Sequence, residues 1–419
     1  MAFLKVLRMR SIAILWLSQV LSAMGDYLYD IAVMWIAVKA VGSGAGIVAA
    51  AEYSSMLIFG LLGGVYADRW NRRRVMMSVD ILRTIAVAIL PVLALSGVLQ
   101  LWHLVVVAVI VGSLGALFDP ALQASLPVLV NDAQTLQATN GLMDTTRRLA
   151  RIFGPGMAGV LIAVMPLPHF FTLDAVSFAI SALAVLSLGR HYAWKPVQSE
   201  SIQRGIRGIL AEIGSAMRLV HHHRPLAWAL GANGINSLLW RAAFTVGVPL
   251  LTYRVLGANV GAYGLIIGAY GVGNVLSNIV ISSLTVRHRV ALLFAGKMVL
   301  GGGFLILAFA HTLWMALFGS ALGAVGGPMS DIMTITIMQT DLPSNQLGKV
   351  FSLRMILENA GGSLGLLLAV PLFVLFSVPV AIAFCALAMI GLGIAGLIRF
   401  GFTDSRVSLM SSTTSEEVL

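Results

Sequence analysis

Twelve long apolar stretches dominate the chain and restrict it to folds that are embedded in a membrane. A helix of about 20 apolar residues spans a bilayer, and it satisfies its own backbone hydrogen bonds where no water is available. We therefore predict an all-α polytopic membrane protein with twelve transmembrane helices. The predicted spans are 11–38, 45–66, 75–96, 101–124, 141–164, 169–189, 227–254, 260–285, 290–310, 312–337, 351–376 and 378–401.

Lys and Arg are distributed unevenly over the loops between these spans. The loops after the even-numbered spans are basic, from the Arg cluster that begins at Arg69 to the long segment between Arg190 and Arg224. The loops after spans one, three and five contain Lys39 and otherwise neither Lys nor Arg. Because cytoplasmic loops of membrane proteins are enriched in Lys and Arg, we expect both termini in the cytoplasm.

Composition excludes several classes of partner and site. The net charge of +10 lies mainly in the loops, where positive-inside bias and anionic lipid explain it, so we expect lipid contacts and no nucleic-acid partner. Cys385 is the only cysteine, which excludes an intrachain disulfide or a thiolate metal site. The run His221–His223 favours a solvated basic loop, and the chain has no phosphate-binding Gly-Lys-Ser/Thr loop. We expect no metal, no cofactor and no enzymatic activity.

The long polar interval 190–225 divides the chain into two similar halves. It contains an amphipathic helical pattern over 202–220, which we expect to lie on the cytoplasmic face. The six-helix bundles would be 1–189 and 226–402, followed by a disordered cytoplasmic tail over 403–419. A Gly-Ala-containing segment that ends in a Pro recurs in both halves, at 115–120 and 323–328. Two six-helix pseudo-repeats with a binding site between them are typical of secondary transporters.

The strongest local motif is Gly-Gly-Val-Tyr-Ala-Asp-Arg-Trp-Asn-Arg-Arg-Arg at 63–74. It resembles the signature loop between helices two and three of the major facilitator superfamily. The resemblance implies the major facilitator fold. It also implies a cytoplasmic gate built from Gly64, Asp68, Arg69 and Arg72.

A second motif, Arg-Ile-Phe-Gly-Pro-Gly-Met-Ala-Gly at 151–159, resembles the Gly-Pro motif of antiporter branches of that superfamily. The resemblance implies export, with Gly154, Pro155 and Gly159 as the motif residues. The alternative interpretation is a packing kink, since Pro removes one helical hydrogen bond.

The wider match resembles the branch that contains enterobactin exporters and macrolide-efflux permeases. It is carried by the segments 125–130, 138–142, 339–343 and 348–352. One departure concerns span four. Many proton-coupled drug antiporters have an Arg there, whereas Asp119 is the only charged residue of this span.

Ionisable residues inside spans are costly, and each is therefore a candidate for function. Asp26 and Asp30 are four residues apart, so they share a helix face, and mutual repulsion favours the binding of a proton by one of them. With Glu52 they are the candidates for proton coupling. The substrate-cavity candidates are Asp119, Asn233, Asn236, Trp240, Arg241 and Asp331. Fixed ion pairs are the alternative, above all for the pairs Asp80 and Arg83, Asp144 and Arg148, and Arg354 and Glu358.

Together these features predict a monomeric secondary active transporter in the inner membrane of a bacterium. We expect it to export an amphipathic small molecule, such as a drug, macrolide or siderophore, in exchange for protons by alternating access. An importer or facilitator of a siderophore complex or a metal ion is an alternative. A non-transporting receptor or scaffold is another, although buried charges would bring a scaffold no evident gain.

Overall fold

The computed structural model describes most of the chain. The described residues are 6–66, 71–130, 135, 138–139, 141–143, 146, 150, 154, 157–158, 161–162, 164–188, 214–221, 223–284, 286–342 and 347–401, without the side chains of 61–66, 124, 127–128 and 348. The chain divides into two compact units, Met1–Gly205 and Ile206–Leu419.

Long helices make up the described part of both units. The helices of the first unit are α1 (Arg10–Val41), α2 (Gly46–Tyr66), α3 (Arg72–Leu95), α4 (Leu101–Leu129) and α5 (Pro168–Ser187). Those of the second unit are α6 (Arg224–Val255), α7 (Val260–Ser283), α8 (Arg289–Ala308), α9 (Leu313–Asp341), α10 (Leu347–Leu375) and α11 (Val378–Phe400). Their bounds follow the predicted spans closely, and the largest extension takes α4 to Leu129.

The predicted all-α membrane architecture is confirmed. Ten helical runs in the described residues are long and apolar enough to cross a membrane, and the first, Arg10–Gly60, includes α1 and most of α2. Predicted span 141–164 falls largely outside the described residues, and the positions described within it are helical. The outward side chains are apolar, as lipid requires: Trp314 is 81% exposed and Ile398 78%.

Side chains at the loop junctions fix where several helices begin. The Asn71 carboxamide oxygen accepts a hydrogen bond from the backbone N–H of Arg74 at 3.2 Å, so α3 begins directly after the basic loop. Asn259 caps α7 in the same way through the N–H of Ala262 at 3.1 Å. Such caps satisfy backbone donors that the first helical turn leaves unpaired.

Small residues allow the helices of the second unit to pack closely. A Cβ at Gly303 of α8 would collide with the backbone of Gly323 on α9, and one at Gly326 would collide with the carbonyl of Gly296. These two helices therefore meet backbone to backbone, which is the usual solution where lipid provides no hydrophobic drive for helix association.

The predicted amphipathic helix over 202–220 lies partly outside the described residues, and so does the predicted tail 403–419. Within the described part, 214–221 is helical, and Ala216 and Val220 pack into the core of the second unit with Leu226 and Leu230. This end of the segment is thus part of the second bundle.

Candidate functional site

A cavity of about 360 Å³ opens among the helices of the first unit. Four predicted site residues line it: Asp26 and Asp30 from α1, Glu52 from α2, and Asp119 from α4. The three proton-coupling candidates thus share one cavity with Asp119, whereas the other substrate-cavity candidates belong to the second unit. Its remaining lining is mixed, with Tyr29, Tyr53, Met56, Phe118, Gln123 and Met143 among the contributors.

Arg83 of α3 also lines this cavity. Its Nη2 donates to the carbonyl of Val111 on α4 at 3.2 Å, and its guanidinium carbon lies 5.0 Å from the ring centroid of Phe178. Gly115 makes the approach possible, because a Cβ there would collide with Nη2. Arg83 therefore brings a guanidinium to α4, whose own sequence has none. Sequence analysis considered Arg83 only as a partner of Asp80.

Two further carboxylates are buried beside the cavity and are absent from the residues that line it. Asp80 of α3 is 1% exposed and Asp174 of α5 is 0% exposed. The Ser177 hydroxyl lies 3.4 Å from Asp174 Oδ1. Sequence analysis missed Asp174, although it is the only acid of the predicted span 169–189 and the rule applied to the other intramembrane acids would have found it.

The part of the first unit that the structure describes has far more carboxylates than basic groups within its helices, away from their ends. More than one turn from the ends of its described helices lie six carboxylates and one guanidinium: Asp26, Asp30, Glu52, Asp80, Asp119, Asp174 and Arg83. Several polar atoms here are buried and have no hydrogen-bond partner in the described part of the chain: Tyr29 Oη, Asp80 Oδ2, Arg83 Nε and Asp174 Oδ2. An ionised carboxylate that is buried without a partner costs several kcal/mol, so protonation or a nearby cation would stabilise Asp80 and Asp174.

Lys297 of α8 is buried in the interior of the second unit, where it belongs to a short chain of hydrogen bonds. It is 1% exposed, and its Nζ donates to Asn233 Oδ1 at 2.5 Å. The amide nitrogen of Asn233 in turn donates to Thr334 Oγ1 at 3.3 Å. The predicted cavity residue Asn233 thus uses both ends of its carboxamide within this unit. Sequence analysis did not single out Lys297.

Arg354 forms an ion-paired cluster on α9 and α10. Its Nε lies 2.6 Å from Glu358 Oε1 and its Nη2 lies 3.0 Å from Asp331 Oδ1. The predicted pair of Arg354 and Glu358 is therefore present, and the candidate Asp331 belongs to the same cluster. The Asp331 side chain remains 59% exposed.

The other predicted residues of the second unit lie where α6 changes its winding. The backbone forms wider π-type turns over Ala242–Gly247 and Leu251–Val255, a feature that is frequent at functional sites. Just before them, Trp240 stacks on Phe244 with ring centroids 5.1 Å apart and donates to Tyr270 Oη at 3.0 Å.

Arg241 and Asn236 are neighbours of this aromatic group along α6. The Arg241 guanidinium carbon lies 5.9 Å from the Trp240 ring centroid, and a Cβ at Gly362 would come within 2.6 Å of Arg241 Nε. The Asn236 carboxamide oxygen is buried and has no hydrogen-bond partner among the described residues.

The two sequence motifs are described only in part. Asp68 and Arg69 lie outside the described residues, Gly64 is described as helical backbone of α2, and Arg72 is the first residue of α3. Gly154 packs against α1, since a Cβ there would lie 2.8 Å from Tyr27 Cγ, whereas Pro155 and Gly159 lie outside the described residues.

Comparison with known proteins places this geometry in context. The model of a family described as transmembrane secretion effectors matches residues 2–414. Multidrug efflux pump Tap of Mycolicibacterium fortuitum is 30% identical over 358 residues, covering 83% of this chain and 85% of the relative. Macrolide efflux protein A of Streptococcus pyogenes is 21% identical over 375 residues, covering 85% and 87%. Among solved structures, the POT family transporter PepTSo superposes with a TM-score of 0.71 at 12% identity, over 96% of this chain and 99% of that one, and shares the fold.

Proposed function

Because the chain belongs to the transmembrane secretion effector family of major facilitator transporters, we propose that it exports cationic amphipathic small molecules in exchange for protons. It is a multi-pass membrane transporter and not an enzyme. The observation that carries the proposal is the cavity of the first unit, where four carboxylates and one guanidinium line about 360 Å³.

The charge of this cavity favours a cation. With Asp26, Asp30, Glu52 and Asp119 ionised and Arg83 charged, the lining would have an excess of negative charge in surroundings of low dielectric constant. Protons and a positively charged substrate each relieve that excess, so the binding of one weakens the binding of the other. This electrostatic competition is a sufficient physical basis for exchange.

The remaining lining favours a substrate with an apolar body. Phe118, Tyr29 and Tyr53 contribute aromatic side chains to the lining, and Met56 and Met143 contribute adaptable thioethers. Aromatic rings and thioethers suit a cation with an apolar body. Two relatives are named as a multidrug efflux pump and a macrolide efflux protein, which supports a drug-like compound with a basic amine. A siderophore complex of negative charge would be repelled by the same carboxylates.

The proposal also includes a cytoplasmic gate, the orientation in the membrane, the direction of transport and a monomeric state. The gate would be formed by Gly64, Asp68, Arg69 and Arg72 at the cytoplasmic side, and both termini would lie in the cytoplasm of a bacterial cell. The Gly-Pro motif around Gly154 would support the direction of export, and the monomer would be the working unit.

Transport by purified protein in liposomes tests the proposal. Tetraphenylphosphonium, a permanent amphipathic cation, serves as the probe, and potassium with valinomycin clamps the membrane potential at zero. We expect an acidic lumen to drive accumulation of the probe and nigericin to abolish it. An accumulation that ignores the pH gradient would contradict proton exchange, and no transport of the probe would contradict the proposed substrate class.

Variants of single carboxylates locate the site. Asp26→Asn and Asp119→Asn should each reduce accumulation strongly, because each removes a negative charge that attracts the probe. Asp341→Asn is the matched control, since this carboxylate is exposed at the end of α9 and should leave accumulation unchanged. Equal effects of all three variants would count against the cavity.

A further inference from the structure

Asp174 has the environment of an internal proton site. It is fully buried on α5, and the missing Cβ of Gly25 on α1 provides the space for it. A Cβ at Gly25 would lie 2.6 Å from Asp174 Oδ1 and 2.5 Å from Ser177 Oγ. The surface of α1 is therefore shaped to admit this carboxylate, immediately next to the cavity residue Asp26.

The groups that face Asp174 do not neutralise it by a direct bond. From α1 these groups are Asp26, Asp30 and Tyr29, and from α3 the facing group is Arg83. Asp174 Oδ2 has no hydrogen-bond partner in the described part of the chain, and the same holds for Tyr29 Oη. An ionised carboxylate in this position would be desolvated and repelled by its neighbours, whereas a protonated one avoids both costs.

We propose that Asp174 holds the proton that is exchanged for substrate. The negative charge of Asp26 couples this proton electrostatically to the binding of substrate in the cavity. This role rests on the proposed exchange of protons. In the empty cavity, ionised Asp26 disfavours a second negative charge nearby, so Asp174 keeps its proton. A cationic substrate next to Asp26 cancels that repulsion. The O–H bond of Asp174 then breaks, its electrons stay on the carboxylate, whose negative charge Arg83 attracts, and the proton passes to water in the cavity.

This arrangement separates the proton from the substrate in space. Asp26, Asp30, Glu52 and Asp119 line the cavity and can contact substrate, whereas Asp174 is not among the lining residues. Substrates of different shapes can therefore release the same proton, provided that each places a positive charge near Asp26. A coupling site of this kind suits a transporter with a broad substrate range.

Asp80 is another buried acid that could hold the exchanged proton, so its Asn variant is the matched control for Asp174→Asn. It is 1% exposed on α3, and its Oδ2 also has no hydrogen-bond partner among the described residues. Asp80 lies on the same helix as Arg83, three residues before it. Asp174 instead packs against Gly25, the residue next to the cavity residue Asp26. Asp174 is thus the acid that is better placed to sense the cavity.

Proton release on substrate binding tests the proposal directly. Purified protein in detergent and weak buffer receives tetraphenylphosphonium, and a pH-sensitive dye reports released protons while the affinity is measured separately. We expect release from wild type and from Asp80→Asn. Asp174→Asn should bind the probe within about threefold of the wild-type affinity, release no proton and lose accumulation driven by a pH gradient. It should still exchange labelled for unlabelled probe.

Each other result overturns the proposal. Normal release from Asp174→Asn would place the proton elsewhere, and loss of release from Asp80→Asn alone would place it on Asp80. Failure of Asp174→Asn to fold would also count against it, since Asn has the shape and hydrogen-bonding groups of a protonated acid. A wild-type protein that releases no proton on binding would refute the proposed exchange itself, and the role of Asp174 would fall with it.

Discussion

The contact between Lys297 and Asn233 gives a prediction whose size follows from the structure. Both side chains are buried, at 1% and 6% exposure, and the hydrogen bond from Nζ to Oδ1 is 2.5 Å long. A hydrogen bond to a charged group contributes about 1.5–3 kcal/mol, whereas a neutral one contributes about 0.5–1.5 kcal/mol. Asn233→Ala should therefore lower the free energy of unfolding by about 2–3 kcal/mol.

Thr334→Val is the matched control for this variant. It removes the neutral hydrogen bond that the amide of Asn233 donates at 3.3 Å, together with the bond from the Thr334 hydroxyl to the Ser330 carbonyl of its own helix, and leaves the bond to Lys297 in place. We expect it to cost about 1 kcal/mol or less. The comparison separates the charged side of the carboxamide from the neutral side, because both variants disturb the same residue.

A double-mutant cycle with Lys297→Met completes the test. Without the ammonium, Asn233→Ala should cost only about 1 kcal/mol, which leaves a coupling energy of about 1–2 kcal/mol. The assay is reversible unfolding in detergent micelles, followed by circular dichroism. Additive effects of the two substitutions, or a Thr334→Val cost equal to that of Asn233→Ala, would show that Lys297 does not depend on Asn233.

Two further predictions concern other buried charges. Gly115→Ala puts a methyl group where Arg83 Nη2 lies, so we expect probe transport to fall by about tenfold; Gly302→Ala, with nothing within 4 Å of the new methyl, should leave the transport rate unchanged. A normal rate in Gly115→Ala would mean that Arg83 need not lie against α4. Arg354→Gln leaves both carboxylate partners, the partly exposed Asp331 and Glu358, without their ion pair. It should lower the free energy of unfolding by about 1–2 kcal/mol. Unfolding in detergent measures this loss of free energy. If the carboxylates repel each other, the double variant Arg354→Gln with Glu358→Gln should lose less unfolding free energy than Arg354→Gln alone.

The sequence predicts the helices well because their signal is local. Each span is long, apolar and bounded by polar residues, so the bounds of α1 to α11 follow from composition. The π-type turns at Ala242–Gly247 and Leu251–Val255 were not predicted. Pro249, which lies between them and removes one backbone donor from the helix, is the local signal for a change of winding.

The site was predictable only as a set of residue types. Asp26, Asp30, Glu52 and Asp119 were found because a charge inside an apolar span is costly, and the structure gathers them in one cavity. The direction of a charged side chain depends on the neighbouring helices. For this reason the predicted ion pair of Arg83 with Asp80 was wrong. Its spacing from Asp80 suggested an ion pair, but space at Gly115 turns the guanidinium towards α4.

The acids of α1 also bear on how the protein enters the membrane. An Asp at the centre of an isolated helix raises the free energy of insertion by roughly 2.5–3.5 kcal/mol, and α1 carries two of them. On its own, α1 is therefore unstable in the lipid. Its stable placement in the membrane depends on α3, which brings Arg83, and on α5, which packs against Gly25. The helix α5 begins more than 120 residues after the end of α1. We expect α1 to remain associated with the insertion machinery until the first bundle is complete.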